Sequence, residues 1–147
     1  MKNNILNLSS LPHTWILDFD GTLVEHNGYK TGEDKWLPGA LEFLRSIPQE
    51  DYILILTARF EDWAPAKTKE FLAKHNIRYN QIIFGMPQGE RILLNDDKPS
   101  GLCCAYTVSP QRNEGLSALS VTIDPNLLGD RNANIKIDST RNNLGWS

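Results

Sequence analysis

Two aspartates two positions apart, Asp18 and Asp20, close the apolar run Trp15-Ile16-Leu17 and are followed at once by Gly21 and Thr22. Side chains two apart on a strand share a face, so the two carboxylates point the same way. Held side by side they repel, unless a cation sits between them or they share a proton. A magnesium-type ion takes oxygen ligands of this kind and commonly rests against a substrate phosphate. Gly21 lets the chain turn sharply and approach a ligand, and Thr22 brings a hydroxyl to the same place. Asp-x-Asp-Gly in isolation is ordinary turn chemistry; the strand-like run in front of it is what raises it above that.

The same arrangement recurs twice. Tyr52-Ile53-Leu54-Ile55-Leu56 ends in Thr57-Ala58-Arg59. A hydroxyl at the carboxyl end of a strand, beside free backbone N–H groups, suits a phosphoryl oxygen, although Thr also simply favours strands and their ends. Arg59 reaches either a substrate or the protein surface. Farther on, Ile92-Leu93-Leu94 runs into Asn95-Asp96-Asp97-Lys98-Pro99. Either aspartate can face an ion, and Lys98 either supplies a cation to the site or pairs with Asp97 in a weak surface contact.

These runs must be strands with helices between them. Leu37, Leu41, Leu44 and Ile47 have helical spacing, opened by Pro38 and stopped by Pro48. Trp63, Ala66, Lys67, Phe71 and Leu72 make a partial apolar stripe over 61–75, with Asn76 as its stop. A third strand follows over 77–85, a fourth over 91–95, and 103–108 reads as a fifth, with Cys103 and Cys104 as small buried side chains. Strands alternating with helices imply right-handed crossovers and a doubly wound, mostly parallel sheet, and such sheets bind ligands at the carboxyl ends of their strands. Residues 25–35 read as a loop lying where a flap over the site would be, and His26 on it could touch a ligand. Residues 1–13 read as a lead-in. Past Ser117 the chain is polar, with a short strand at 119–123 and Trp146 near its end.

Asp18-Phe19-Asp20-Gly21-Thr22, Thr57-Ala58-Arg59 and Asp96-Asp97 together resemble the first, second and fourth motifs of the haloacid dehalogenase-like (HAD) phosphohydrolases. The stretch 84–101, with Gly85-Met86-Pro87 and Asn95-Asp96-Asp97-Lys98-Pro99, is similar to a capless subset from bacterial surface-polysaccharide loci. The resemblance implies a three-layer, Rossmann-like α/β fold and an aspartyl-phosphate mechanism. Asp18 would be the nucleophile and Asp20 the general acid and base. Magnesium would be held by Asp18, the Asp20 carbonyl and Asp96, with Asp97 behind it. Thr57 and the backbone N–H groups of Phe19, Asp20 and Ala58 would cradle the phosphoryl oxygens. The family's third motif is a lysine upstream of the acidic pair; Met86 stands there and carries no charge, which makes Lys98 the candidate catalytic lysine, with Arg59 and Arg91 behind it.

With 147 residues, 40% hydrophobic and 22% charged, the chain reads as one ordinary globular domain, a core over about 14–115 with a polar extension over 117–147. Neither 25–35 nor the second crossover is long enough for a cap domain. A net charge of -3 without a basic run argues against nucleic-acid binding, and no apolar stretch is long enough to span a membrane. Two adjacent cysteines make no disulfide framework, and the N-terminus lacks a signal-peptide pattern, which points to the cytoplasm. The expected partner is a small phosphorylated metabolite, a sugar phosphate by the subset resemblance; the oligomeric state is not legible. The missing third-motif lysine keeps open a catalytically weak module that binds a phosphorylated ligand. A phosphotransferase is less favoured, because an uncapped site excludes water poorly.

Overall fold

The computed structural model describes residues 4–127, which group into two compact units. Within the described residues, the first holds Asn4, 12–90 and 108–119, and the second holds 5–11, 91–107 and 120–127.

The first unit is built on three parallel strands, β2 (Thr14–Asp18), β3 (Tyr52–Leu56) and β4 (Gln81–Ile83), in the order β2-β3-β4. The helix α1 (Ala40–Ser46) connects the first two and α2 (Ala64–Lys74) the second two. Asp18 pairs with Leu56, and Leu56 with Ile83, so the three carboxyl ends lie level. At the other end the register is fixed by Asp51, 3% exposed. It accepts the His13 backbone N–H at 3.0 Å, the Trp15 indole N–H at 3.0 Å, and faces the His13 ring at 2.9 Å.

Alternation decides what each strand buries. Phe19, Ile53 and Ile55 share one core with Ala40, Leu44 and Ile47 from the first crossover and Phe71, Leu72 and Ile77 from the second. Both helices therefore cover the same face, as right-handed crossovers moving one way across a sheet require. Ile16 and Tyr52, of opposite parity, are 46% and 42% exposed. The result is a parallel α/β unit, and the second helical layer expected from sequence is not among its described residues. An isolated helix of eleven residues is marginal in water. Burial of Phe71 and Leu72, at roughly 1.5–3 kcal/mol each, is what holds α2. It ends where expected, with Asn76 left-handed at φ 55°.

In the second unit, β1 (Ile5–Leu8) pairs in parallel with β5 (Ser120–Ile123), Ile5 opposite Ser120. The short strand at 119–123 is thus present, while the lead-in contains a strand that the sequence did not announce. Residues 91–107 form no strand, contrary to the two expected there. Ile92 and Leu94 are 83% and 91% exposed; an apolar run becomes a strand only when a neighbour takes up its backbone groups. Cys103 is exposed rather than buried, and both thiols are free. No helix of the described residues is long and apolar enough to cross a membrane. The expectations for 128–147, including a docked Trp146, lie outside the described residues.

Candidate active site at the strand ends

Past β2 the chain turns back tightly: the Phe19 carbonyl accepts the N–H groups of Thr22 and Leu23, and Gly21 donates to Val24 O at 2.7 Å. Gly21 needs its freedom here, with φ at 85°. The turn brings Asp18, Asp20, Gly21 and Thr22 to one shallow cavity of about 170 Å³, closed on its other side by Pro110 and Arg112. Asp18 and Asp20 thus do face one site, as their spacing requires. The Thr22 hydroxyl donates to Asp18 Oδ2 at 3.0 Å, which orients that carboxylate.

Arg59 does not face solvent, and it has no N–H left for a ligand. It is 2% exposed, and all five guanidinium N–H groups are taken. Nε and Nη2 grip the two Asp20 oxygens at 2.8 and 2.9 Å. Nη2 and Nη1 reach Asp34 at 2.7 and 3.1 Å, and Nη1 also donates to Thr68 Oγ1 at 2.7 Å. The guanidinium is sandwiched over the rings of Phe19 (4.7 Å) and Tyr29 (3.8 Å). Burial works against its charge, but the bonds to Asp20 and Asp34 outweigh that and raise its pKa. Tyr29 in turn donates to Glu61 at 2.8 Å. Its phenol is raised well above the usual range, by burial first and by the Glu61 carboxylate second. One side chain thereby ties together the turn that carries Asp20, the 25–35 loop and α2.

The remaining sequence candidates divide. Thr57 is 1% exposed, its Oγ1 accepts the Arg59 backbone N–H at 3.1 Å, and it does not line the cavity; Thr22 supplies the hydroxyl there instead. Phe19 is fully buried and Ala58 half-buried. Asp96, Asp97 and Lys98 belong to the second unit, where Asp97 Oδ1 accepts the Cys104 N–H at 3.3 Å and Lys98 begins a turn closed by Gly101 N–H. His26 stands near Gly21: its Nδ1 is 3.7 Å from where a Cβ on that glycine would be. Arg112 is the residue the sequence reading passed over. It sits in a turn without periodicity, and only the chain's return to the strand ends reveals it.

Among the described residues no three His, Cys, Asp or Glu side chains converge as a metal cluster. The cavity is nonetheless lined by oxygen donors, Asp18, Asp20 and Thr22. Such hard donors fit magnesium, which takes one or two carboxylates and fills its other positions with water and substrate phosphate.

No family model matches this sequence, and no curated protein matches it. A chain in a solved structure described as "Structure of Pnkp1/Rnl/Hen1 complex" is 27% identical, with a TM-score of 0.43. The match covers 56% of this chain and 31% of that one, so this chain spans less than a third of the length of its neighbour. At that TM-score the likeness carries neither fold nor function across.

Proposed function

We propose that this chain is a phosphomonoester hydrolase of the HAD type, working through an aspartyl-phosphate. The observation that carries the reading is the convergence of Asp18, Asp20 and Thr22 on one small polar cavity at the carboxyl edge of a parallel sheet. Asp18 attacks phosphorus and the ester oxygen leaves, taking a proton from Asp20. Asp20 then removes a proton from water, which attacks the acyl phosphate and regenerates Asp18. The Arg59 clamp suits the second half, since a general base must be a carboxylate. For the first half, one Asp20 oxygen has to release the guanidinium and carry a proton. Asp18 and the Asp20 carbonyl would hold magnesium, which when bound screens the charge between nucleophile and phosphate. A sugar phosphate is the proposed substrate class, from the sequence resemblance to the capless subset.

The same clamp favours a second reading, a module that binds a phosphorylated ligand without turnover because Asp20 is not released. Phosphate release from a panel of sugar phosphates and an aryl phosphate, with and without magnesium, separates the two. A hydrolase gives magnesium-dependent release that Asp18→Asn abolishes. Absence of release from every ester, with ligand still bound, establishes the binding module.

A further inference from the structure

The one guanidinium of Arg59 is shared between two carboxylates, Asp20 and Asp34, and a phosphomonoester near neutral pH brings up to two further negative charges. Arg59 is committed to Asp20 and Asp34 and cannot turn to meet the newcomer. Arg112 lines the same cavity. It is exposed, and among the described residues its guanidinium makes no hydrogen bond or ion pair.

The backbone under Arg112 is fixed while its tip is free. Asn113, left-handed at φ 64°, donates its N–H to Gly21 O at 2.8 Å, and its side-chain oxygen accepts the His26 N–H at 2.9 Å. Gln111 and Glu114 close the turn on either side through Gln111 N–H to Glu114 Oε1, at 2.8 Å. The Arg112 stem then lies along Gly21, with Cγ 3.2 Å and Nε 3.8 Å from where a Cβ would be. His26 Nδ1, buried and without a hydrogen-bond partner, approaches the same point at 3.7 Å.

We propose that Arg112 is the substrate-binding cation of this site, closing its planar fork on two phosphoryl oxygens opposite Asp18. The proposal rests on the phosphohydrolase reading and deepens it. A guanidinium matches paired phosphoryl oxygens in a way an ammonium does not. The unpartnered His26 Nδ1 stands beside the Arg112 stem to receive its Nε–H when the side chain swings in, leaving the terminal amino groups to the ligand. A cavity of about 170 Å³ has room for a phosphoryl head and a few waters at roughly 30 Å³ each. Recognition therefore centres on the terminal phosphate, and the leaving alcohol stays outside. The substrate class is that of accessible terminal phosphomonoesters, whatever the bulk behind the ester oxygen.

The test uses the full chain, Arg112→Ala and Arg112→Lys, with magnesium present, and reads inorganic phosphate binding by calorimetry alongside KM and kcat for an aryl phosphate. Loss of a charge-assisted fork should weaken phosphate binding and raise KM by about ten- to a hundredfold, with a smaller fall in kcat. Lysine should restore part of the loss, and added guanidinium should rescue the alanine variant. Unchanged melting temperature confirms that an exposed side chain was removed without harm to the fold. If wild type hydrolyses esters while Arg112→Ala keeps phosphate affinity and KM within twofold, Arg112 is not the cation and the hydrolase reading survives. If wild type binds phosphate but does not turn over, weaker binding by Arg112→Ala still upholds Arg112 while the hydrolase reading falls. If wild type binds no phosphate at all, both fall.

Discussion

Arg59 shows how far a residue's role can lie from its motif position. Its place after Thr57 and Ala58 suggested ligand or surface; its partners Asp20, Asp34 and Thr68 come from three separate segments. No local spacing encodes that convergence, which is why sequence could not identify it. By contrast, Asp18 and Asp20 were legible because strand alternation alone puts them on one side. Replacing Arg59 by Met should cost about 3–5 kcal/mol, since Asp34 would stay buried, and Asp20 partly buried, without their counter-charge. Chemical denaturation measures the loss. Part of it should return in the double variant with Asp34→Leu, because a well-packed apolar pair can replace a buried ionic one. Equal stability of the single variant and wild type would show that the clamp is not structural.

At the scale of elements, the β2–β3 ladder carries a carboxylate at each end, of opposite purpose. Asp51 faces inward at the amino end and bonds His13 and Trp15, while Asp18 opens into the cavity at the carboxyl end. Burial opposes the charge of Asp51, but its three hydrogen-bonding contacts hold the carboxyl below the ordinary range. Its stabilising contribution is therefore complete above the unfolded pKa of about 3.9. It disappears as pH falls through the lower folded value. Asp51→Asn should lower the melting temperature at pH 7, and the difference from wild type should shrink below about pH 4. A gap that stays constant down to pH 2.5 would assign the effect to packing instead. The helices and three strands of this unit were readable from period and from Pro and Asn signals. The run Ile92-Leu93-Leu94 was misread because apolar content says nothing about whether a neighbouring edge is available.

At the scale of the first unit as a whole, the site depends on a segment remote from its motifs. Residues 108–119 return to pack against the start of α1, where Leu116 N–H bonds Pro38 O at 2.7 Å. Gly115, at φ 85°, makes that approach possible; a Cβ there would collide with the Pro38 carbonyl. Gly115→Ala should destabilise the unit by about 2–4 kcal/mol, from the left-handed backbone and the overpacking together. Because the same segment presents Arg112, phosphate affinity should fall with it. Thermal melts and phosphate titration of one preparation check both effects. A glycine such as Gly115 is ordinary turn chemistry in a sequence, but a turn's partner is a matter of tertiary contact.

The bond from His26 to Asn113 joins residues 87 apart in sequence, and this sets an order of assembly. Contacts of long separation form late, after shorter loops have closed. A chain emerging from synthesis has Asp18, Asp20 and Arg59 in hand well before Arg112 is made. The acidic half of the cavity therefore exists first, and the wall that carries the unpaired cation is added last. Until residues 108–119 have docked, the nascent protein has Asp18, the proposed nucleophile, but not Arg112, the proposed phosphate-binding cation, so on this reading phosphate binding would report completion of the unit.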